Sequence, residues 1–380
     1  MERIYVDHAA TSPMYPAVVD KMTAFMHEYF GNPSSIHHYG RESRRHLDEA
    51  RQTIAKSIGA RENELIFTSG GTESDNMALI GVALANQHKG KHIITTQIEH
   101  HAVLHTCEYL ETQGFTVTYL PVDEKGRVSV ADVQAALTDQ TILVSVMYGN
   151  NEVGTIQPIA EIGDVLKEHG AYFHTDAVQA YGLISINVQQ LGVDLLSVSS
   201  HKINGPKGIG FLYAASHVPL SPLLFGGEQE RKRRAGTENM ASIAGFEEAV
   251  KISQKTLQER VDQYRSFKEK IIEILTKEGV SFVVNGDQEH SLPHVLNISF
   301  TGINVESMLV NLDLAGIAAS SGSACTAGAI DPSHVLVAMF GKGSERLNSS
   351  IRFSFGLGNT MEQIENLAYQ TATIVKRLAK

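Results

Sequence analysis

The sequence predicts an α/β protein with a mostly parallel sheet between helices in a large domain, followed by a smaller α+β domain. Two features of the pattern point there. Short apolar runs alternate with helical periodicity up to Thr237, and beyond it the texture shifts to long helical stretches and a few separated strands. Length agrees: 380 residues, at roughly 150 per domain, suit one large domain and a smaller partner, each with its own core.

Along the chain, helical periodicity recurs in 16–30, 43–58, 72–87, 102–112 and 158–168. Between these lie apolar runs that read as buried strands: 65–68, 92–96, 116–120, 142–147, 172–175, 195–199 and 208–212. A sheet of this kind binds ligands beyond the carboxyl ends of its strands. The segment 238–277 reads as nearly continuous helix, with Val250, Leu257, Val261, Ile271 and Leu275 among its apolar positions. The second unit then offers strands at 280–284, 295–300 and 350–355, and helices at 304–314, 332–340 and 360–378. The expected division is a large domain over 16–247, with 1–15 and 248–380 forming the smaller one.

Composition narrows the function. With 42% hydrophobic and 19% charged residues, 32 Gly and 10 Pro, the chain is neither disordered, collagen-like nor a disulfide-stapled miniprotein. A formal net charge of −10 opposes a globally basic nucleic-acid or membrane surface, though the Arg231–Arg234 run RKRR is locally basic. Two cysteines in so long a chain point to a reducing compartment, with any special thiol kept for reactivity. No secretory signal precedes the strand-like 4–6, and no apolar stretch reaches membrane-span length, so a cytoplasmic location is expected.

The most informative stretch is SVSSHKINGPKGIG at 197–210, where a lysine follows a strand and glycines trail it. Glycines allow close backbone approach to a ligand. A desolvated lysine near another cation has a lowered pKa and suits a Schiff base with a carbonyl cofactor. Taken alone, Lys202 reads first as a surface lysine in a β-turn. Upstream, HTDAVQ at 174–179 ends an apolar strand on Asp176, which could pair with a pyridinium nitrogen or merely cap the next helix. TSGGTES at 68–74 is a strand, glycines and a helix start, the pattern of an anion site, but by itself a weak one.

Order and spacing together resemble the fold-type I pyridoxal-phosphate enzymes. More narrowly, DHAATSPM at 7–14, GNPSSIH at 31–37, EHHAVL at 99–104, NNEVGTIQP at 150–158 and SSGSACTAG at 320–328 resemble cysteine desulfurases of class-V aminotransferase type. The resemblance implies pyridoxal 5'-phosphate as cofactor, with Lys202 forming its Schiff base and Asp176 pairing with the pyridine nitrogen. It further implies that Gln179 and Asn151 contact the cofactor oxygen or the substrate. By the same resemblance His100 stacks on the ring and moves protons, whereas His101 is structural. Gly71, Thr72, Ser199 and His201 match the family's phosphate cup. Thr237 matches a threonine reaching the phosphate from the other subunit of a homodimer. Arg352 matches the arginine gripping the substrate carboxylate, with Asn32 a second contact, and no metal is implied.

Cys325 lies among small residues and matches the nucleophile. The resemblance implies conversion of L-cysteine to L-alanine, leaving a persulfide on Cys325. SSGSAC matches the long-loop class, not the RxGHHC type. Cys107, within a helical pattern, reads as inert. Nearest rivals are another class-V aminotransferase, for which Cys325 has no use, and a non-catalytic sulfur-relay scaffold. A zinc hydrolase built on His100 and His101 is disfavoured because adjacent helix-start histidines point apart. The family's iron–sulfur members carry residues beyond the helix 360–378, where this chain stops at Lys380. The expected sulfur acceptor is therefore a tRNA-thiolating enzyme, with an iron–sulfur scaffold as alternative and no direct nucleic-acid contact.

Overall fold

The computed structural model describes residues 3–321 and 332–379. Seven strands form the main sheet: β2 (Leu65–Thr68), β3 (His92–Thr96), β4 (Thr116–Leu120), β5 (Thr141–Ser145), β6 (Tyr172–Asp176), β7 (Leu195–Ser199) and β8 (Gly210–Ala214). Their order is β2-β8-β7-β6-β5-β3-β4. Only β8 runs antiparallel to its neighbours, so the other six point their carboxyl ends to one edge.

Both faces of the sheet are covered, and the alternation along each strand shows it. Leu65, Phe67, Leu196, Val198, Phe211 and Tyr213 face one core, while Ile66, Leu195, Leu212 and Ala214 face the other. The first core is closed by α2 (His38–Lys56) and α8 (Met240–Lys255). The second is closed by α3 (Gly71–Asn86) and α4 (His101–Thr112). Along α2 the buried positions Leu47, Ala50, Arg51, Ile54 and Ala55 recur at helical spacing on one stripe.

The second unit has an antiparallel sheet in the order β12-β10-β9, with β9 (Phe282–Asn285), β10 (Val295–Phe300) and β12 (Ser350–Ser354). Helices α9 (Leu257–Lys277), α10 (Val305–Leu314) and α12 (Met361–Leu378) pack on it around Phe267, Ile271, Leu296, Ile298, Phe353 and Leu367. The N-terminal strand β1 (Ile4–Tyr5) pairs in parallel with β11 (Ile317–Ala318), and Ile4 and Val6 join this core. Residues 7–12 then cross back toward the large sheet, where Ser12 N donates to His201 O at 3.2 Å.

Several expected elements shift. The helix expected at 43–58 begins at His38, because His37 Nδ1 accepts from Gly40 N at 3.2 Å and caps an earlier turn. The continuous helix expected over 238–277 is two, broken at Thr256 (φ −107°, ψ 10°). Arg260 holds the break by donating to Gly182 O and Ser253 O at 2.6 and 3.1 Å. The expected boundary at 247/248 falls inside α8, whose Ala249 and Val250 still pack on the large core, and the chain moves to the second core only after Thr256. Two short helices, α5 (Val130–Ala136) and α7 (Val188–Leu191), have no counterpart in the expectation.

The basic run at 231–234 is structural on one side. Glu230 and Arg51, both buried, meet in a two-pronged ion pair at 2.7 Å, and Phe67 N also donates to Glu230 at 3.1 Å. That anchor holds Glu230, Arg231 and Lys232 in the left-handed region, at φ 47°, 59° and 67°.

Candidate active site

The carboxyl ends of β2, β3, β5, β6 and β7 open onto one cavity of about 550 Å³. Its wall includes Gly71 and Thr72 after β2, His100 after β3, Asn151 after β5, Asp176 and Gln179 at and after β6, and Ser199, His201 and Lys202 at and after β7. The second unit closes the cavity with Leu309, Ala319, Ser320, Ser321 and Arg352. A sheet edge and a second core thus bring together side chains separated by up to hundreds of residues in sequence.

Lys202 lies in a single 3₁₀ turn, Ser200–Ile203, that ends on Asn204 in the left-handed region. Its amine donates to Ala9 O and, at 2.7 Å, to Ala10 O. Burial lowers its pKa to about 7, and the Arg352 charge adds to this while Asp7 and Asp176 oppose it. A sizeable neutral fraction of the amine is thus present near pH 7, where an ordinary lysine is fully charged. Asp176, at the last position of β6, is 5% exposed and accepts from Val178 N at 2.8 Å. Burial pushes its carboxyl up to about 6, against the Val178 N–H and the Lys202 charge. A carboxylate so placed has the chemistry of a seat for a cationic ring nitrogen.

In the same cavity wall, α3 begins at Gly71 with Thr72 in its first turn, so first-turn amides and the positive helix end face the cavity. Gly70 has φ 149°, which favours glycine, and a Cβ at Gly71 would come within 2.8 Å of Val178 Cγ2. Ser199 lines the same corner, as does His201, whose Nδ1 lies 3.2 Å from Thr11 Oγ1. Between the acidic floor and the phosphate-type corner, the residues fit a pyridoxal 5'-phosphate.

His100 is the N-cap of α4, with Nδ1 accepting from Ala102 N at 3.1 Å. Burial and then the Lys202 charge push its pKa down to about 4, so the ring is neutral. His101, expected to be structural, also lines the cavity, stacked on His105 with ring centroids 4.9 Å apart and meeting the tilted ring of His334 at 4.7 Å. Among the described residues no group of His, Cys, Asp and Glu is arranged to hold a metal ion.

Arg352, in β12, is 3% exposed. Nη2 pairs with Asp7 Oδ1 at 2.8 Å and Nη1 donates to Asn151 O at 2.9 Å, which aims the guanidinium across the cavity. Asp7 opens the DHAATSPM motif, but its pairing with a residue 345 positions away left no local signal. Asp75 and Glu152 also line the cavity unforeseen. Asp75 is a charged residue on a helix buried almost all round, and that mismatch was the available signal. Burial, and then Asp176, hold its carboxyl well above the usual carboxylate range.

Two expected site residues do not reach the cavity within this chain. Asn32 is exposed and its side-chain oxygen accepts from Ser34 N at 2.9 Å, on the loop between α1 (Pro16–Glu28) and α2. It is not beside Arg352. Thr237 is exposed as well, beyond the Glu230 anchor. Cys325 lies outside the described residues. Cys107 is buried in α4, where burial pushes its thiol pKa far up, as suits an inert thiol.

The sequence matches the family described as Aminotransferase class-V over residues 4–367. It is 65% identical over 378 residues, covering 100% of both chains, to the "Putative cysteine desulfurase IscS 1" of Bacillus subtilis (strain 168). It is 47% identical over 375 residues, covering 99% of this chain and 95% of the other, to the "Cysteine desulfurase IscS" of Dictyoglomus turgidum. Among solved structures, a "NIFS-LIKE PROTEIN" superposes with a TM-score of 0.92 at 36% identity, over 99% of this chain and 100% of that one. A NifS-like protein from Rickettsia africae superposes at 0.87 with 31% identity, over 99% and 100%.

Proposed function

The chain belongs to the class-V aminotransferase family as a NifS/IscS-like, pyridoxal-phosphate-dependent cysteine desulfurase, and from that premise we propose how its residues divide the work. The observation that carries the assignment is the convergence of Lys202, Asp176 and Arg352 on one cavity that the N-terminus of α3 also lines. When bound, pyridoxal phosphate supplies an electron sink that lets an amino acid lose its α-proton and then its β-substituent. The residues around it bind, orient and move protons. Gly71, Thr72, Ser199 and His201 hold the phosphate, and Asp176 keeps the ring nitrogen protonated. Lys202 holds the aldehyde carbon and, once freed, takes the α-proton at Nζ, a role that its lowered pKa of about 7 suits. His100 stacks on the ring and shuttles protons, Gln179 and Asn151 contact the ring oxygen or substrate, and Arg352 grips the carboxylate.

Cys325 is the nucleophile in this reading. Its thiolate attacks the substrate sulfur, an S–S bond forms and the Cβ–S bond breaks. The electron pair stays with the organic fragment, which takes up protons and leaves as L-alanine, while Cys325 keeps a persulfide. Cys325→Ser should bind cofactor and cysteine, seen as a spectral shift on adding substrate, yet lose at least about 10³-fold in alanine release. Full alanine production by that variant, or keto-acid exchange as fast as desulfuration, would favour the aminotransferase reading. The persulfide passes to an acceptor protein in the cytoplasm, where thiols stay reduced. A net charge of −10 supports reaching RNA only through such a protein. Labelled sulfur on Cys325, offered to a tRNA thiolase and an iron–sulfur scaffold in parallel, tells the two acceptors apart.

A homodimer with shared sites accounts for Asn32 and Thr237. Both are exposed, and their loops also expose Phe30, Ile36 and Phe225 at 71%, 91% and 86%. Mixed dimers of a Lys202→Ala subunit and a Thr237→Ala subunit should regain activity that neither homodimer has, since one site per dimer is then intact. No recovery in a demonstrated heterodimer removes the shared site.

A further inference from the structure

His294 begins β10's approach in the second unit and reaches across to the large unit. Its Nε2 lies 3.1 Å from Gln179 Oε1, and both side chains are buried. Gln179 Nε2 donates to Ala9 O at 2.9 Å, the same carbonyl that accepts from Lys202. A backbone carbonyl can only accept, so the amide NH2 of Gln179 must face Ala9 and its oxygen must face His294. The oxygen in turn needs a donor, which fixes His294 as the tautomer protonated on Nε2. Nδ1, buried and without a hydrogen-bond partner among the described residues, is then the bare nitrogen. The backbone of His294 is held too, since Phe355 N donates to its carbonyl at 2.9 Å.

We propose that His294 is a positioning residue that locks the Gln179 amide in one orientation, so that its second N–H is presented to the phenolic oxygen of bound pyridoxal phosphate. This rests on Gln179 being the contact to that oxygen. The lock holds across the working pH range. Burial drives the imidazole pKa well below its usual value, and the basic groups facing it from other elements add to this: Lys268 on α9, His8 on the N-terminal segment, Lys202, and Arg352 on β12. In the neutral ring the proton stays on Nε2 because the Gln179 oxygen, fixed by the Ala9 contact of its amide, can only accept there, so that oxygen is held on His294 and away from the phenolate.

The consequence is spectroscopic. A donor to the phenolic oxygen favours its charged form and lowers the pH at which the bound cofactor titrates. His294→Phe keeps the ring shape and removes the donor, so the midpoint of the visible-absorbance titration of the holoenzyme should rise by about one pH unit, a tenfold change in proton affinity. His294→Gln restores a donor and should return the midpoint toward the parent. His294→Leu serves the same purpose if the Phe variant does not fold. Gln179→Ala should raise the midpoint by itself, and adding His294→Phe to it should raise it no further. An unchanged midpoint in folded His294→Phe or His294→Leu, with Gln179→Ala shifted, overturns the role of His294 alone. An unchanged midpoint in Gln179→Ala overturns both the Gln179 contact and the lock. A parent enzyme with no Lys202-dependent visible band would remove the cofactor assignment on which both stand.

Discussion

Lys202→Ala is expected to abolish cysteine turnover and, in the cofactor-free protein, to raise stability at neutral pH. The first effect follows from removing the cavity-lining amine that holds the cofactor and takes the α-proton, and activity should fall to the limit of detection. The second follows from linkage. The folded amine titrates at about 7, against about 10.4 for lysine in an unfolded chain. Between those values the unfolded state binds more protons, so stability rises with pH across the window. The cost of keeping a charged amine buried is therefore greatest at and below pH 7 and fades toward pH 10. Removing Lys202 should gain roughly 2–3 kcal/mol at pH 7, after allowance for the amine's partial contact with cavity water, and almost nothing at pH 10. Urea denaturation of the two apo proteins at both pH values checks it. Equal midpoints at pH 7, or the same gain at pH 10, would refute the buried-amine account, and residual turnover would refute the catalytic one.

Arg352→Ala should lower kcat/KM for cysteine by about 10³-fold, the scale of about 4 kcal/mol expected when one partner of a buried charge pair is truncated. Two losses combine in that figure. The substrate carboxylate loses its two-pronged donor, and Asp7 loses the guanidinium 2.8 Å away. Arg352→Lys keeps the charge but not the fork, so it should recover only part of the loss, mainly in KM. Cofactor absorbance should be retained in both variants, because Arg352 approaches from the second unit and not from the sheet that forms the phosphate corner. Steady-state kinetics beside an absorbance spectrum separates the cases. A kcat/KM within about threefold of the parent in Arg352→Ala would sink the carboxylate role.

Much of this architecture is carried by local pattern. Near-continuous apolar runs such as 65–68 and 195–199 can bury both faces only inside a helix-covered sheet, and β2 and β7 occupy those residues. Lys202, Asp176, Gly71 and Thr72 stand directly after strands, and a mostly parallel sheet with its carboxyl ends on one edge gathers such positions by construction. What decided the helix start at His38 was a side-chain cap, and what broke 238–277 at Thr256 was the Arg260 bridge to Gly182, a contact between elements that no window of sequence contains.

The sequence by itself determined the strands of the main sheet and most of its helices, the lysine, aspartate and arginine of the site and the family to which they belong, because each is written in residue type and short-range spacing. Only the tertiary structure decided that Asp7 would face Arg352, that Asp75 would stand beside Asp176, that His294 would hold Gln179, and that Asn32 and Thr237 would point away from the cavity of their own chain. These are pairings across large sequence separations, set by how two cores pack against each other. Local periodicity says which face of an element is buried, but not which charge or amide it meets there.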